Sequence, residues 1–125
     1  MQNSFLVMAG AAVGGLLRYQ VGRLALHIAG PGYPWGTLAA NILGGLAMGL
    51  LAGFLARSAS GGESLRLLLG VGVLGGFTTF SAFSLETLLM IERGQAGMAM
   101  AYILFSVIGA LGALALGLFA VRSLA

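Results

Sequence analysis

The stretch Gly75-Gly76-Phe77-Thr78-Thr79-Phe80-Ser81-Ala82-Phe83-Ser84 places a glycine pair and a run of hydroxyl side chains inside a long apolar segment. Adjacent glycines followed by β-branched threonines lower helix propensity, and a broken helix leaves carbonyls that protein, water or a cation must satisfy. The stretch therefore predicts a membrane helix that is broken at mid-bilayer. The alternative is a kinked but continuous helix, in which Thr and Ser bond back to carbonyls one turn earlier.

Four apolar segments reach the ~20 residues that a helix needs to cross the hydrocarbon layer of a membrane. They are Ser4–Ile28, Thr37–Ala56, Leu65–Ile91 and Ala96–Val121. The separators between them are a Gly/Pro turn at 30–35, a polar loop at 57–63 and a charged turn at 92–95. We expect an all-α integral membrane protein of four transmembrane helices, with residues 1–125 forming a single domain.

The composition supports a membrane protein and argues against several other classes. Of 125 residues, 59% are hydrophobic and 22 are Gly, so no water-soluble surface can be built. The six scattered Arg residues make no basic patch, which excludes nucleic acid as an expected partner. Without Cys or Asp, and with His27 as the one histidine, the chain has no residues for a zinc site or a hydrolytic triad. We therefore do not expect an enzyme.

The arginines near the loops scarcely favour one orientation in the membrane. Arg57, Arg66 and Arg122 flank one face of the predicted bundle, and Arg23 and Arg93 flank the other. Positive charge sets membrane topology, so a balance of three against two predicts insertion in both orientations. We expect an antiparallel homodimer with dual topology, because no internal repeat supplies that symmetry within one chain.

Small residues recur at four-residue spacing on three of the predicted helices, which is typical of close helix packing. They are Gly10, Gly14 and Gly22; Gly45, Gly49 and Gly53; and Gly109, Ala113 and Gly117. Arg18 and Asn41 lie on two of these stripes and so project into helix interfaces. Arg18 either snorkels, caps carbonyls of a neighbouring helix or attracts an anion. Asn41 either joins two helices or offers its amide to an anion.

Other polar and aromatic residues extend this pattern. Phe80 and Phe83 either pack or turn the positive edges of their rings toward an anion. Glu86 is a carboxylate within or near the membrane, with Arg18 or a hydroxyl as its expected partner. Tyr102 and Ser106 follow one face of the fourth span, as interhelical contacts or as donors along a pore.

Three ordered motifs carry a family resemblance: Gly14-Gly15-Leu16-Leu17-Arg18-Tyr19, Gly36-Thr37-Leu38-Ala39-Ala40-Asn41, and the third-span stretch from Gly75 to Ser84. Together they resemble the Fluc family of fluoride channels, also called CrcB proteins, over essentially the whole chain. The resemblance implies a dual-topology homodimer in the bacterial inner membrane, with two pores that export fluoride passively and lower its toxicity. It also implies a central structural sodium ion, held by the backbone carbonyls of Gly75 and Thr78 of each subunit.

By the same resemblance, ten residues are expected along the fluoride pathway: Phe80, Phe83, Asn41, Ser81, Ser84, Thr79, Tyr102, Ser106, Arg18 and Glu86. The chain departs from the family at Ala82, where a Thr is common, so no hydroxyl role is expected at that position. The partners implied are fluoride, a second copy of the chain and the lipid bilayer.

Two other functions compete with this interpretation. A small proton-coupled multidrug exporter is also a four-helix, dual-topology dimer, but such exporters carry a membrane-embedded Glu on the first helix, where this chain has Arg18. A non-conducting assembly protein explains the glycine stripes and leaves the polar run around Thr78 unexplained.

Overall fold

The structure, a computed structural model, describes residues 1–58 and 62–124. Within that part of the chain, four helical segments are long and apolar enough to cross a membrane. They are α1 (Gln2–Ala29), α2 (Trp35–Arg57), a third span over Glu63–Glu92, and α5 (Ala96–Arg122). The four predicted spans are confirmed. Residues 59–61 of the predicted 57–63 loop lie outside the described residues.

The third span consists of two helices, as the broken-helix prediction requires. The first, α3, is α-helical at Glu63–Leu65, π-helical over Arg66–Leu74 and α-helical again at Gly75–Phe77. The second, α4, covers Phe80–Glu92. Between them, residues 78 and 79 are extended, so the helix is interrupted near the middle of the span.

The glycine pair does not make this interruption. Gly75 has φ −62° and ψ −37°, an ordinary right-handed helical conformation that any residue adopts. Gly75 therefore does not need a backbone conformation that only glycine adopts. At Gly76 it is space that excludes a side chain, because a Cβ there would lie 2.7 Å from the carbonyl oxygen of Ala11 on α1.

Several glycines of the predicted stripes lie at two helix seams where backbones touch. α1 packs on α3, and a Cβ at Gly14 would collide with the carbonyl oxygen of Val73. α2 packs on α5, where a Cβ at Gly45 would lie 2.7 Å from the carbonyl oxygen of Ala110. Small residues allow this approach, which compensates for the weak hydrophobic drive between helices in lipid.

At two turns of the described chain, the backbone conformation itself favours glycine. Gly30 (φ 77°) ends α1 and donates its N–H to the carbonyl of Leu26, and Gly94 (φ 79°) lies in the turn between α4 and α5. Left-handed backbone favours glycine at both sites. A small core of Leu38, Met90, Ala99 and Tyr102 joins α2, α4 and α5 close to the first of these turns.

Candidate functional site

The break between α3 and α4 is built from two threonines. Thr78 ends α3 by donating both its N–H and its Oγ1–H to the carbonyl of Leu74, at 3.0 and 2.9 Å. Thr79 begins α4 as its N-cap, and its Oγ1 accepts the N–H of Ala82 at 3.1 Å. A hydroxyl is both donor and acceptor, so the same residue type serves a helix end and a helix start.

Side chains from two other helices bond to the backbone around the break. Asn41 on α2 donates Nδ2–H to the carbonyl of Thr79 at 3.1 Å, and its Oδ1 accepts the N–H of Thr79 at 2.8 Å. Arg18 on α1 donates Nε–H to the carbonyl of Gly76 at 3.1 Å. Of the alternatives open for Arg18, the structure shows carbonyl capping.

These bonds redirect two amide donors of the interrupted helix. In a continuous α-helix, the N–H of Thr79 would bond to the carbonyl of Gly75, and that of Ala82 to the carbonyl of Thr78. In this structure Thr79 bonds to Asn41 instead, and Ala82 bonds to the Thr79 hydroxyl. The carbonyls of Gly75 and Thr78 thus lose their α-helical donors.

Backbone carbonyls are also the oxygens that fit a cation here. Within residues 1–58 and 62–124, no three or more His, Cys, Asp or Glu side chains form a group able to hold a metal ion. Carbonyl oxygens suit hard cations such as sodium. Gly75 is an exposed residue, so it lies at the surface of the chain.

An open groove of about 460 Å³ runs beside the break, between α2, α4 and α5. Five of the predicted pathway residues line it: Asn41, Thr79, Phe80, Phe83 and Ser106. Ser106 is only 6% exposed, and its Oγ has no hydrogen-bond partner among the described residues. A buried polar group without a partner is uncommon, because its desolvation is uncompensated.

The two phenylalanines differ in their surroundings. Phe80 is 78% exposed, whereas Phe83 is partly buried and packs against the core. Their ring centroids are 5.7 Å apart, and the Phe83 ring lies 5.1 Å from that of Tyr102. Phe83 is therefore packed within the chain, whereas most of the Phe80 ring is exposed.

Glu86 belongs to a second polar cluster beyond Phe83. Its Oε2 accepts from the Thr37 hydroxyl at 3.0 Å, and its Oε1 accepts from the Tyr102 hydroxyl at 2.9 Å. The expectation of a hydroxyl partner for Glu86 is met twice, while Arg18 bonds to Gly76 instead. The Tyr33 ring packs edge-on to Tyr102, with the centroids 5.6 Å apart.

This cluster borders a cavity of about 320 Å³ at the turn after α1. Glu86, Thr37, Tyr33 and Arg93 are among the residues that line it. Burial raises the pKa of the Tyr33 phenol, so the ring stays neutral. The cavity thus has a carboxylate, a phenol and a guanidinium among its lining groups.

Ser81 and Ser84 are exposed and do not line the groove. The Ser84 hydroxyl donates to the carbonyl of Phe80 at 2.8 Å, and the Ser81 Oγ lies 3.3 Å from the Thr79 Oγ1. Thr37, which bonds to Glu86, was not predicted as a site residue. The pattern that indicates it is its position one turn before Asn41 on the same face of α2.

Comparisons with known proteins identify the family. The profile described as "CrcB-like protein, Camphor Resistance (CrcB)" matches residues 5–118. The chain belongs to the CrcB family. Relatives named "Fluoride-specific ion channel FluC" include those of Phenylobacterium zucineum, 60% identical over 98% of this chain and 97% of the relative, and Novosphingobium aromaticivorans, 56% identical over all of both chains. The FluC of Sphingopyxis alaskensis is 55% identical over 99% of this chain and 98% of its own length.

For this CrcB-family chain, the resemblance predicted from its three motifs is thus confirmed. The match includes the whole third span, so the break, the groove and the Glu86 cluster all lie within the family's common region. The chain is a multi-pass membrane protein.

Proposed function

We propose that this chain is a fluoride channel subunit that lets fluoride leave the cell passively across the bacterial inner membrane and so lowers its toxicity. Several relatives that are more than half identical over nearly the whole chain bear the name of fluoride-specific ion channels. A channel carries out transport rather than catalysis, which agrees with the lack of enzyme chemistry in the sequence.

The observation that carries the proposal is the Ser106 hydroxyl, which is buried, unpartnered among the described residues and at the wall of an open groove. A donor of this kind suits a small anion that must exchange its water for protein contacts. Asn41 has one more Nδ2–H to offer, and the edges of Phe80 and Phe83 carry partial positive charge. Several modest donors bind fluoride without trapping it.

The lining of the groove does not oppose an anion. Among the described residues no carboxylate lines it, and the nearby Glu86 accepts hydroxyl donors from both Thr37 and Tyr102. A proton-coupled exporter of cationic drugs needs an accessible acid on the first helix, where α1 carries Arg18. We therefore find no observation that favours the exporter.

We further propose that a second, antiparallel copy closes the groove. The groove is open along one side, and Phe80 is too exposed to belong to the core of a single chain. The near balance of loop arginines supports insertion in both orientations. Adding two Lys beside Ser60 in one copy and beside Gln95 in another is expected to give two halves that export fluoride only when co-expressed. Full export by either half alone would exclude the antiparallel dimer.

A structural sodium ion between the two copies completes the proposal. The carbonyls of Gly75 and Thr78, released from helical bonding, are the ligands proposed for it, two from each subunit. We expect prolonged dialysis into sodium-free buffer to lower fluoride flux and dimer stability. Unchanged flux and stability, with sodium shown absent by elemental analysis, would contradict a structural ion.

The fluoride proposal itself is tested with purified protein in liposomes loaded with fluoride or chloride. A fluoride electrode should record rapid efflux that requires the protein, and a chloride electrode should record almost none. Equal rates for both anions, or no fluoride efflux from vesicles shown to contain folded protein, would reject it.

A further inference from the structure

We infer that Asn41 is a positioning residue that holds the helix break open and so sets the direction of α4. Its two polar atoms bond to the N–H and the carbonyl of one residue, Thr79, at 2.8 and 3.1 Å. This pair of bonds, the Asn41 latch, joins residues 38 positions apart in the sequence. The inference deepens the proposed function, because α4 carries Phe80 and Phe83 into the groove.

The latch is a substitute for helix bonding. An extended residue in a membrane must still satisfy its N–H and carbonyl, because hydrocarbon offers no partner. A carboxamide matches both groups at once, since it presents a donor and an acceptor side by side. Thr79 is therefore held in its extended conformation by the fold of one subunit, without requiring an ion or a second copy.

The latch has a direct geometric consequence for the pathway. Thr79 is the N-cap of α4, and the first residue of that helix is Phe80. The anchor at Thr79 thus fixes where α4 starts, relative to α2 and the groove. One N–H of the Asn41 amide is left over, so positioning and contact with an anion can be separated by substitution.

The test is amide hydrogen exchange at Thr79, measured by NMR on reconstituted full-length protein in fluoride-free buffer. The Thr78 amide, which bonds to the carbonyl of Leu74 at 3.0 Å, is the internal reference. We expect Thr79 to be protected in the wild type. Asn41→Ala should lower that protection roughly tenfold, the effect of losing one hydrogen bond, and leave Thr78 protected. It should also reduce fluoride efflux.

Two variants separate the latch from a general defect and from loss of an anion donor. Asn41→Asp keeps an oxygen that accepts the Thr79 N–H but loses the Nδ2–H that bonds to the Thr79 carbonyl, so Thr79 protection should fall less than in Asn41→Ala. Ser106→Ala removes a groove hydroxyl and should leave Thr79 exchange unchanged. Loss of Thr78 protection together with that of Thr79 in Asn41→Ala would indicate unfolding and contradict the specific role.

The wild type alone can overturn the inference. An amide at Thr79 that exchanges as fast as an unbonded one, beside a protected Thr78, would show that the latch does not exist in the membrane. Equal Thr79 protection in the wild type and Asn41→Ala would do the same. Protection without any fluoride efflux from the wild type would instead reject the proposed function and leave the latch standing, because exchange is measured without fluoride.

Discussion

Tyr102 and Ser106 lie one turn apart on the same face of α5, both almost fully buried, yet their hydroxyls differ in one respect. Tyr102 donates to Glu86, which also accepts from Thr37, so the polar side chains of this cluster are bonded to one another. Ser106 has no partner among the described residues and faces an open groove. Burial is shared, so burial alone does not predict which hydroxyl contacts the anion. We expect the hydroxyl without a partner, that of Ser106, to contact it.

Phe83 touches both regions, and its replacement should have the largest effect. Its ring packs against Tyr102 and also lines the groove. Phe83→Ile keeps apolar volume but removes the ring edge, so we expect fluoride flux to fall by about tenfold or more in liposomes. Phe80→Ile, which alters the exposed ring, should impair flux while the subunit stays folded. Near-normal flux in both variants would show that the two rings serve packing and not the anion.

Tyr102→Phe tests how much the hydrogen bonds of Glu86 with Tyr102 and Thr37 stabilise the fold. It removes one donor from Glu86 and keeps the ring in place, so we expect a loss of about 1 kcal/mol in unfolding free energy. Unfolding in detergent mixtures with increasing SDS measures this. Flux should change less than in Phe83→Ile. A large loss of flux at unchanged stability would place the Tyr102 hydroxyl on the pathway and remove the contrast with Ser106.

Thr37→Val should give the smallest effect. The substitution is nearly isosteric and removes the second hydroxyl bonded to Glu86, at a cost of roughly 0.5 kcal/mol in the same unfolding experiment. The double variant with Tyr102→Phe leaves Glu86 without either hydroxyl. We expect it to lose more than the sum of the single variants, because the carboxylate then has no donor from this cluster. Strict additivity would show that the cluster is not a unit.

The sequence predicted the features that depend on local pattern. Apolar length predicted the four spans, and the four-residue spacing of glycines predicted close helix packing but not which helices pair. The break was predicted from the Gly75–Gly76 pair and the threonines that follow it; both glycines are helical, and the interruption lies at the threonines. Two side chains that are distant in the sequence, Asn41 and Arg18, bond to the backbone around the break. No local periodicity predicts these hydrogen bonds.

Within the site, the residue types were easier to predict than their partners. Glu86 was predicted to be a membrane carboxylate that needs a hydrogen-bond donor. Which donor it has, Thr37 and not Arg18, depends on how α1 and α2 pack. Similarly, the polar face of Tyr102 and Ser106 is visible in the sequence. The Tyr102 hydroxyl is bonded because α4 places Glu86 within 2.9 Å of it, whereas the Ser106 hydroxyl has no partner among the described residues.

Ser106→Ala is the most direct test of the central claim that this unpartnered hydroxyl serves the permeating anion. Thr87→Ala is the matched control, because the Thr87 hydroxyl is bonded to the carbonyl of Phe83 in its own helix, at 2.7 Å. We predict that Ser106→Ala lowers fluoride flux by roughly three- to tenfold while the unfolding free energy stays the same or rises, since a buried unsatisfied group is removed. Thr87→Ala should leave flux near the wild type. Unchanged flux in Ser106→Ala, or a loss of flux only in proportion to a loss of stability, would contradict the account.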